Sequence, residues 1–165
     1  MRQWIKTILG LAGLIVLDQL TKLWALGALK GKNPIAIRPE VLELHYVENR
    51  GAAFGIMQNR QWFFLLITVV VLAVLIWLVP KIPEDRHYLG FRMCLYFIGA
   101  GAIGNMIDRM FRKYVVDFIY FRLIDFPVFT VADIYVTVSA IVFLVLVLFY
   151  YKEDDYAFLS RKKNC

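Results

Sequence analysis

Two stretches of this chain are as long as a bilayer is thick and contain no charged residue: Trp62 to Pro80 and Ile134 to Tyr151. A hydrocarbon core takes about 20 apolar residues as a helix. It also offers no water to an unpaired backbone group, so the β-branched content of the first run does not make it a strand. Both runs are expected to be membrane-crossing helices. Composition points the same way, with 61% of the 165 residues hydrophobic and 19% charged. A water-soluble domain of this length leaves too much surface wet to hide that much apolar side chain. A soluble enzyme and a disordered tail are both excluded. What remains is a small polytopic membrane protein.

Two further spans are expected from about Thr7 to Leu29 and from about Tyr88 to Ile107, with the last span running from about Phe126 to Tyr151. The first has the basic start of a signal peptide, but Asp18 and Lys22 interrupt it, and it is read as a retained helix. Gly99, Ala100, Gly101, Ala102 and Gly104 give the third a thin face suited to close helix packing. Between the first two spans, Leu42, Leu44 and Tyr46 alternate with Glu43, His45 and Val47 as in a half-exposed strand. A turn of small residues follows, Asn49-Arg50-Gly51-Ala52-Ala53-Phe54-Gly55. Residues Tyr114 to Phe121 are expected to be strand-like or irregular. The expected fold is therefore an all-α polytopic membrane protein of four transmembrane helices with a small extracytoplasmic β-containing platform, and residues 1–165 form one domain.

Four spans place both termini on one side. The termini and the Pro80 to Arg92 connection carry nine Lys/Arg, and the other two loops carry nine as well. The first nine lie in much shorter segments, which favours cytoplasmic termini. The net charge of +6 is assigned to membrane flanks and lipid headgroups rather than to nucleic acid. Cys94 and Cys165 have neither CxxC nor zinc spacing. His45 and His87 are expected on opposite membrane faces, and no phosphate-cradling loop occurs. No metal or cofactor is expected.

Charges within or beside a span are costly and point to function. Asp18 and Lys22 share a helix face and suit either a structural ion pair or the orientation of a loop or headgroup. Asn105 and Asp108 share another face where the third span ends, and Asp108 is expected to pair with Arg109. Asp117 interrupts the apolar stretch Val115-Val116-Asp117-Phe118, and Asp133 stands near the head of the fourth span. Both acids are expected near one membrane face. Two carboxylates brought together at low dielectric cannot both ionise cheaply, so one keeps a proton while the other acts as a base. Such a pair can activate water and protonate a leaving amine. Separate anchoring roles, or an ion or proton pathway, would use the same residues.

Five segments, in order along the chain, resemble the boxes of the bacterial lipoprotein signal peptidases (signal peptidase II). They are Asp18-Gln19-Leu20-Thr21-Lys22, Asn49-Arg50-Gly51-Ala52-Ala53-Phe54, Gly101 to Arg109, Val115-Val116-Asp117-Phe118 and Phe129-Thr130-Val131-Ala132-Asp133. The resemblance implies an inner-membrane aspartic endopeptidase that removes the signal peptide of prolipoproteins before a diacylglyceryl-modified cysteine. It assigns catalysis to Asp117 and Asp133. Asn49, Gly51, Asn105, Asp108, Arg109 and Thr130 become substrate-binding or site-shaping residues, and Asp18 and Lys22 become supports of the first span. The expected partners are lipidated prolipoproteins and membrane lipid, with the protein a monomer and its active site near the extracytoplasmic face. The family usually carries Asn where Thr130 stands. That departure defines an alternative, a non-catalytic lipoprotein-binding relative.

Overall fold

The computed structural model describes residues 2–51 and 60–160. Of the features above, Ala52-Ala53-Phe54-Gly55, the basic residues Arg161, Lys162 and Lys163, and Cys165 lie outside the described residues. The elements follow in the order α1 (Arg2–Ala28), β1 (Ile35–Arg38), β2 (Leu42–Asn49), α2 (Gln61–Leu78), α3 (Leu89–Phe111), β3 (Val115–Tyr120), α4 (Val131–Val145) and the short α5 (Ala157–Ser160). A π-helical turn, Leu146–Tyr150, continues α4. Four helical segments among the described residues are long and apolar enough to cross a membrane: Thr7–Ala28, Gln61–Lys81, Leu89–Phe111 and Val131–Tyr150.

α3 is the central helix and packs against α1, α2 and α4. Its buried residues include Gly99, Ala100, Gly101 and Gly104. These small side chains let neighbouring backbones approach, because van der Waals packing is what remains to join helices in lipid. A Cβ on Gly101 would lie 2.5 Å from the Ala132 carbonyl oxygen and 2.7 Å from Val136 Cγ2. α2 is the opposite case. It is apolar all round and has no fully buried residue: a half-buried stripe including Phe64, Leu75 and Leu78 faces the bundle, and the other side chains face outward where lipid tails belong.

Three strands in the order β1-β2-β3 form an antiparallel sheet at one end of the bundle. Ala25 and Leu29 from the end of α1 pack with Val116 and Phe118 of β3 and anchor this sheet on the helices. At the opposite end Ile82, Phe91, Leu95 and Tyr151 form a second cluster.

The structure corrects several boundaries. α3 runs a turn beyond Ile107, because Asp108 and Arg112 keep it packed rather than free. α4 begins at Val131, not Phe126, since Phe129 is engaged by β3: Phe129 N–H donates to the Ile119 carbonyl at 2.9 Å and Ile119 N–H donates back at 2.9 Å. The alternation expected in β2 fails at Glu43. That residue is the buried one, held by Arg122 Nη1, which donates to Glu43 Oε1 at 2.7 Å. A buried carboxylate is tolerated there because a guanidinium accompanies it. β1 had no pattern to reveal it, since all four of its residues are exposed.

Candidate active site

Asp117 and Asp133 reach the same groove from two elements. Asp117 is the third residue of β3, and Asp133 lies in the first turn of α4. The Phe129–Ile119 bridge clips the chain before α4 onto β3 and so brings the two acids to one place. The groove encloses about 750 Å³, and its lining includes Asn49, Gly51, Arg109, Asp117 and Asp133 among apolar residues such as Phe121, Phe126 and Phe129.

Each carboxylate receives one amide N–H from an asparagine, and each asparagine is oriented from its other side. Asn49 sits opposite Val115 in the β2–β3 register, diagonal to Asp117 on the same face. Its Oδ1 accepts from Gly51 N–H at 2.9 Å, and its Nδ2 donates to Asp117 Oδ2 at 2.8 Å. Asn105 Oδ1 accepts from Lys22 Nζ at 3.0 Å, and Asn105 Nδ2 donates to Asp133 Oδ1 at 2.7 Å. An ammonium only donates, so the Lys22 contact turns the amide nitrogen toward Asp133. Asp133 Oδ2 accepts from Thr130 N–H at 3.0 Å as part of a capping box that opens α4. The remaining oxygen, Asp117 Oδ1, is buried and without a hydrogen-bond partner among the described residues. Burial pushes the Asp117 carboxyl up to about 8, the Asp133 charge adds to the rise, and the Asn49 hydrogen bond opposes it.

Beneath the groove lies a packed ionic network. Lys22 is fully buried and reaches Asp18 Oδ2 at 2.8 Å and Asp108 Oδ2 at 3.1 Å. Asp18 Oδ1 accepts from the Ala132 N–H at 2.9 Å and from Thr130 Oγ1 at 3.3 Å, so an acid of α1 sits on the N-terminus of α4, where the helix dipole favours it. Asp108 Oδ2 accepts from Val116 N–H at 3.2 Å, which ties α3 to β3. Gly104 leaves room for this network, since a Cβ there would lie 2.5 Å from Asp18 Oδ2.

The expected Asp108–Arg109 pair does not form. Consecutive helix residues point about 100° apart. Asp108 therefore faces Lys22 and Arg112 while Arg109 faces the groove. The Arg109 guanidinium lies 4.9 Å from the centre of the Phe64 ring and donates to the Gly51 carbonyl at 3.4 Å. Asp18 and Lys22 form the ion pair that their spacing suggests, but it joins three helices rather than supporting one.

Several contributors were not singled out from the sequence. Gln19 Nε2 donates to Asp18 Oδ2 at 3.2 Å and to the Gly104 carbonyl at 3.1 Å, and Arg112 bonds Asp108. Arg112 follows Asp108 by one helical turn, so the acid-to-base spacing was a usable signal. Phe64 and Phe129 carry no such mark, because an aromatic in an apolar run looks like any other.

Residues 11–149 match the family model described as signal peptidase (SPase) II. The chain is 39% identical over 149 residues to the lipoprotein signal peptidase of Streptococcus pyogenes serotype M5 (strain Manfredo), covering 90% of this chain and 95% of the relative. Identity to the serotype M1 protein of the same name is 38% over the same share of both. Among solved structures, one described as a bacterial membrane enzyme at 2.3 Å resolution superposes with a TM-score of 0.76 at 30% identity, covering 90% of this chain and 92% of that one. A second, at 1.9 Å, gives the same TM-score over 88% and 94%. This multi-pass bacterial membrane protein, with its paired asparagines and clustered acids beside an apolar-walled groove, belongs to the signal peptidase II family, and the activity that membership carries is proteolytic removal of the signal peptide from prolipoproteins.

Proposed function

We propose that the chain is an aspartic endopeptidase that cuts prolipoproteins before the diacylglyceryl-modified cysteine, with Asp117 and Asp133 as its catalytic pair. The observation that carries this reading is that both acids line one groove, each held by one asparagine amide. At neutral pH the pair holds one proton, and the raised affinity of Asp117 favours Asp117 as its holder. Asp133, the ionised partner, takes a proton from a water that attacks the scissile carbonyl carbon. Asp117 gives its proton to the carbonyl oxygen. Collapse of the tetrahedral intermediate breaks the C–N bond: the nitrogen takes the proton collected by Asp133, and one hydroxyl of the intermediate returns its proton to Asp117, leaving a carboxylic acid and a free amine.

The apolar part of the groove suits a substrate that arrives through the bilayer. Each buried acyl CH₂ contributes about 0.8 kcal/mol, so the lipid anchor supplies affinity with few contacts to the peptide. Arg109, Asn49 and Gly51 border the acids and orient the peptide backbone. One chain carries every group the reaction uses, so a monomer suffices. With cytoplasmic termini, the sheet end of the bundle and the groove face the extracytoplasmic side.

Thr130 bears on the alternative of a binding-only relative. Its backbone N–H holds Asp133, and that contact does not depend on the side chain. Its hydroxyl reaches Asp18 instead of the carboxylate pair. This supports a catalytic reading with Thr at the position. The test is turnover of a lipidated precursor by Asp117→Asn and Asp133→Asn. Each is expected to lose at least about 10²-fold in rate, the lower range for removing an acid–base group. Near-normal turnover by either variant rejects the pair, and wild-type binding without product selects the alternative.

A further inference from the structure

The end of the bundle away from the aspartates holds a second groove. It lies between α1 and the first half of α3, encloses about 370 Å³, and has Gly10, Leu11, Leu14, Met93 and Phe97 in its walls. A smaller cleft adjoins it, bordered by Pro80 and Glu84. Thr7, Arg92 and Tyr96 line both.

Arg92 is the anomaly. It is 7% exposed overall and its side chain lines both clefts, and among the described residues its guanidinium has neither an ion pair nor a hydrogen bond. Glu84 borders the adjoining cleft but makes no ion pair with it. Every other buried charged residue named above meets an opposite charge or sits in the acid pair of the catalytic groove. A guanidinium in a cleft wall with no anion beside it leaves its planar fork open to one. The groove beside this one is apolar and roomy. A Cβ on Gly10 would meet nothing within 4 Å.

We infer that this groove binds a phosphate ester, and that the ligand is a glycerophospholipid of the adjacent leaflet. Its phosphate pairs with Arg92, where the planar guanidinium fork matches two phosphate oxygens. Thr7 and Tyr96 line the same two clefts as Arg92. One acyl chain lies along Leu11, Leu14 and Phe97. Basic pockets between transmembrane helices take lipid headgroups by this combination of one cation and an apolar wall. The site is distinct from the catalytic groove: Arg92 lies about 20 Å below Asn105 along α3 at 1.5 Å per residue.

Native mass spectrometry of the full-length protein in detergent tests this with three probes: phosphatidylglycerol, diacylglycerol with the same acyl chains, and inorganic phosphate. Wild type is expected to retain phosphatidylglycerol about tenfold better than diacylglycerol, the size of one charge-assisted hydrogen bond. Arg92→Gln should bring the two lipids to parity. Gly10→Ile fills the groove from a position free of neighbours and should reduce retention of both lipids. Far-UV circular dichroism of both variants checks that the helices are intact. If inorganic phosphate alone raises the melting temperature, Arg92→Gln removes that rise and no lipid is retained, the phosphate assignment stands with a soluble ligand. Equal retention of phosphatidylglycerol by wild type and both variants overturns the proposal.

Discussion

Asp117 shows how a single residue can favour function over stability. Its carboxyl titrates near 8 when folded, against an ordinary value of 3.8. The folded state therefore binds an extra proton between those values, and stability falls as pH rises from about 4 to about 8, levelling off on either side. Asp117→Asn should flatten the melting temperature across that window while abolishing cleavage, a pairing checked by thermal unfolding and precursor turnover at matched pH. In the wild-type enzyme, loss of the shared proton should give kcat/KM an alkaline limb with its midpoint near 8. Lys22 illustrates the reverse. Lys22→Met would leave Asp18 and Asp108 buried without that cation, at a cost of about 3–5 kcal/mol in chemical unfolding. It would also free Asn105 to rotate, so any folded fraction should turn over slowly.

At the level of the elements, glycine placement separates contact from lipid exposure. Gly101 and Gly104 face α4 and α1 so closely that a methyl group would overlap a carbonyl or a carboxylate. Gly101→Ala should cost about 1–3 kcal/mol, as overpacking does. Gly104→Ala should do the same and lower activity as well, because it displaces Asp18 from the head of α4. Gly13→Ala, where nothing lies within 4 Å, should be neutral or stabilise by up to about 1 kcal/mol through helix propensity. Unfolding in detergent ranks the three. The sheet works similarly as a unit. β3 carries Asp117, receives Asn49 from β2, is bonded by Asp108 from α3 and clips Phe129, so one six-residue strand locates both acids.

For the molecule as a whole, the bilayer is the missing layer of the core. α2 presents apolar side chains on every face, with Val70 54% exposed near its middle. Val70→Arg should reduce membrane insertion by about 2.5–3.5 kcal/mol, read as the inserted fraction in a translocon assay. The proposed orientation has its own check. In a variant lacking Cys165, a cysteine at Lys32 should react with an impermeant maleimide added outside intact cells, and one at Lys81 should not. The reverse labelling would put the groove on the cytoplasmic side.

Segments of the chain declare themselves where the solvent makes the choice. Trp62 to Pro80 and Ile134 to Tyr151 had to be helices because lipid leaves their backbone no other partner, and the acids embedded in apolar sequence stood out because burying a charge is expensive. The five boxes then named the family, and the fold and the relatives agree with it. What no local pattern contained was which charge meets which. Asp108 has Arg109 beside it in sequence but Lys22 and Arg112 beside it in space, since helical rotation separates neighbours and joins residues a turn or a whole chain apart. Nor could spacing place Asp133 in the groove of Asp117. That proximity depends on Phe129 adding to the edge of β3, a backbone contact indifferent to side-chain type and so invisible until the tertiary fold forms it.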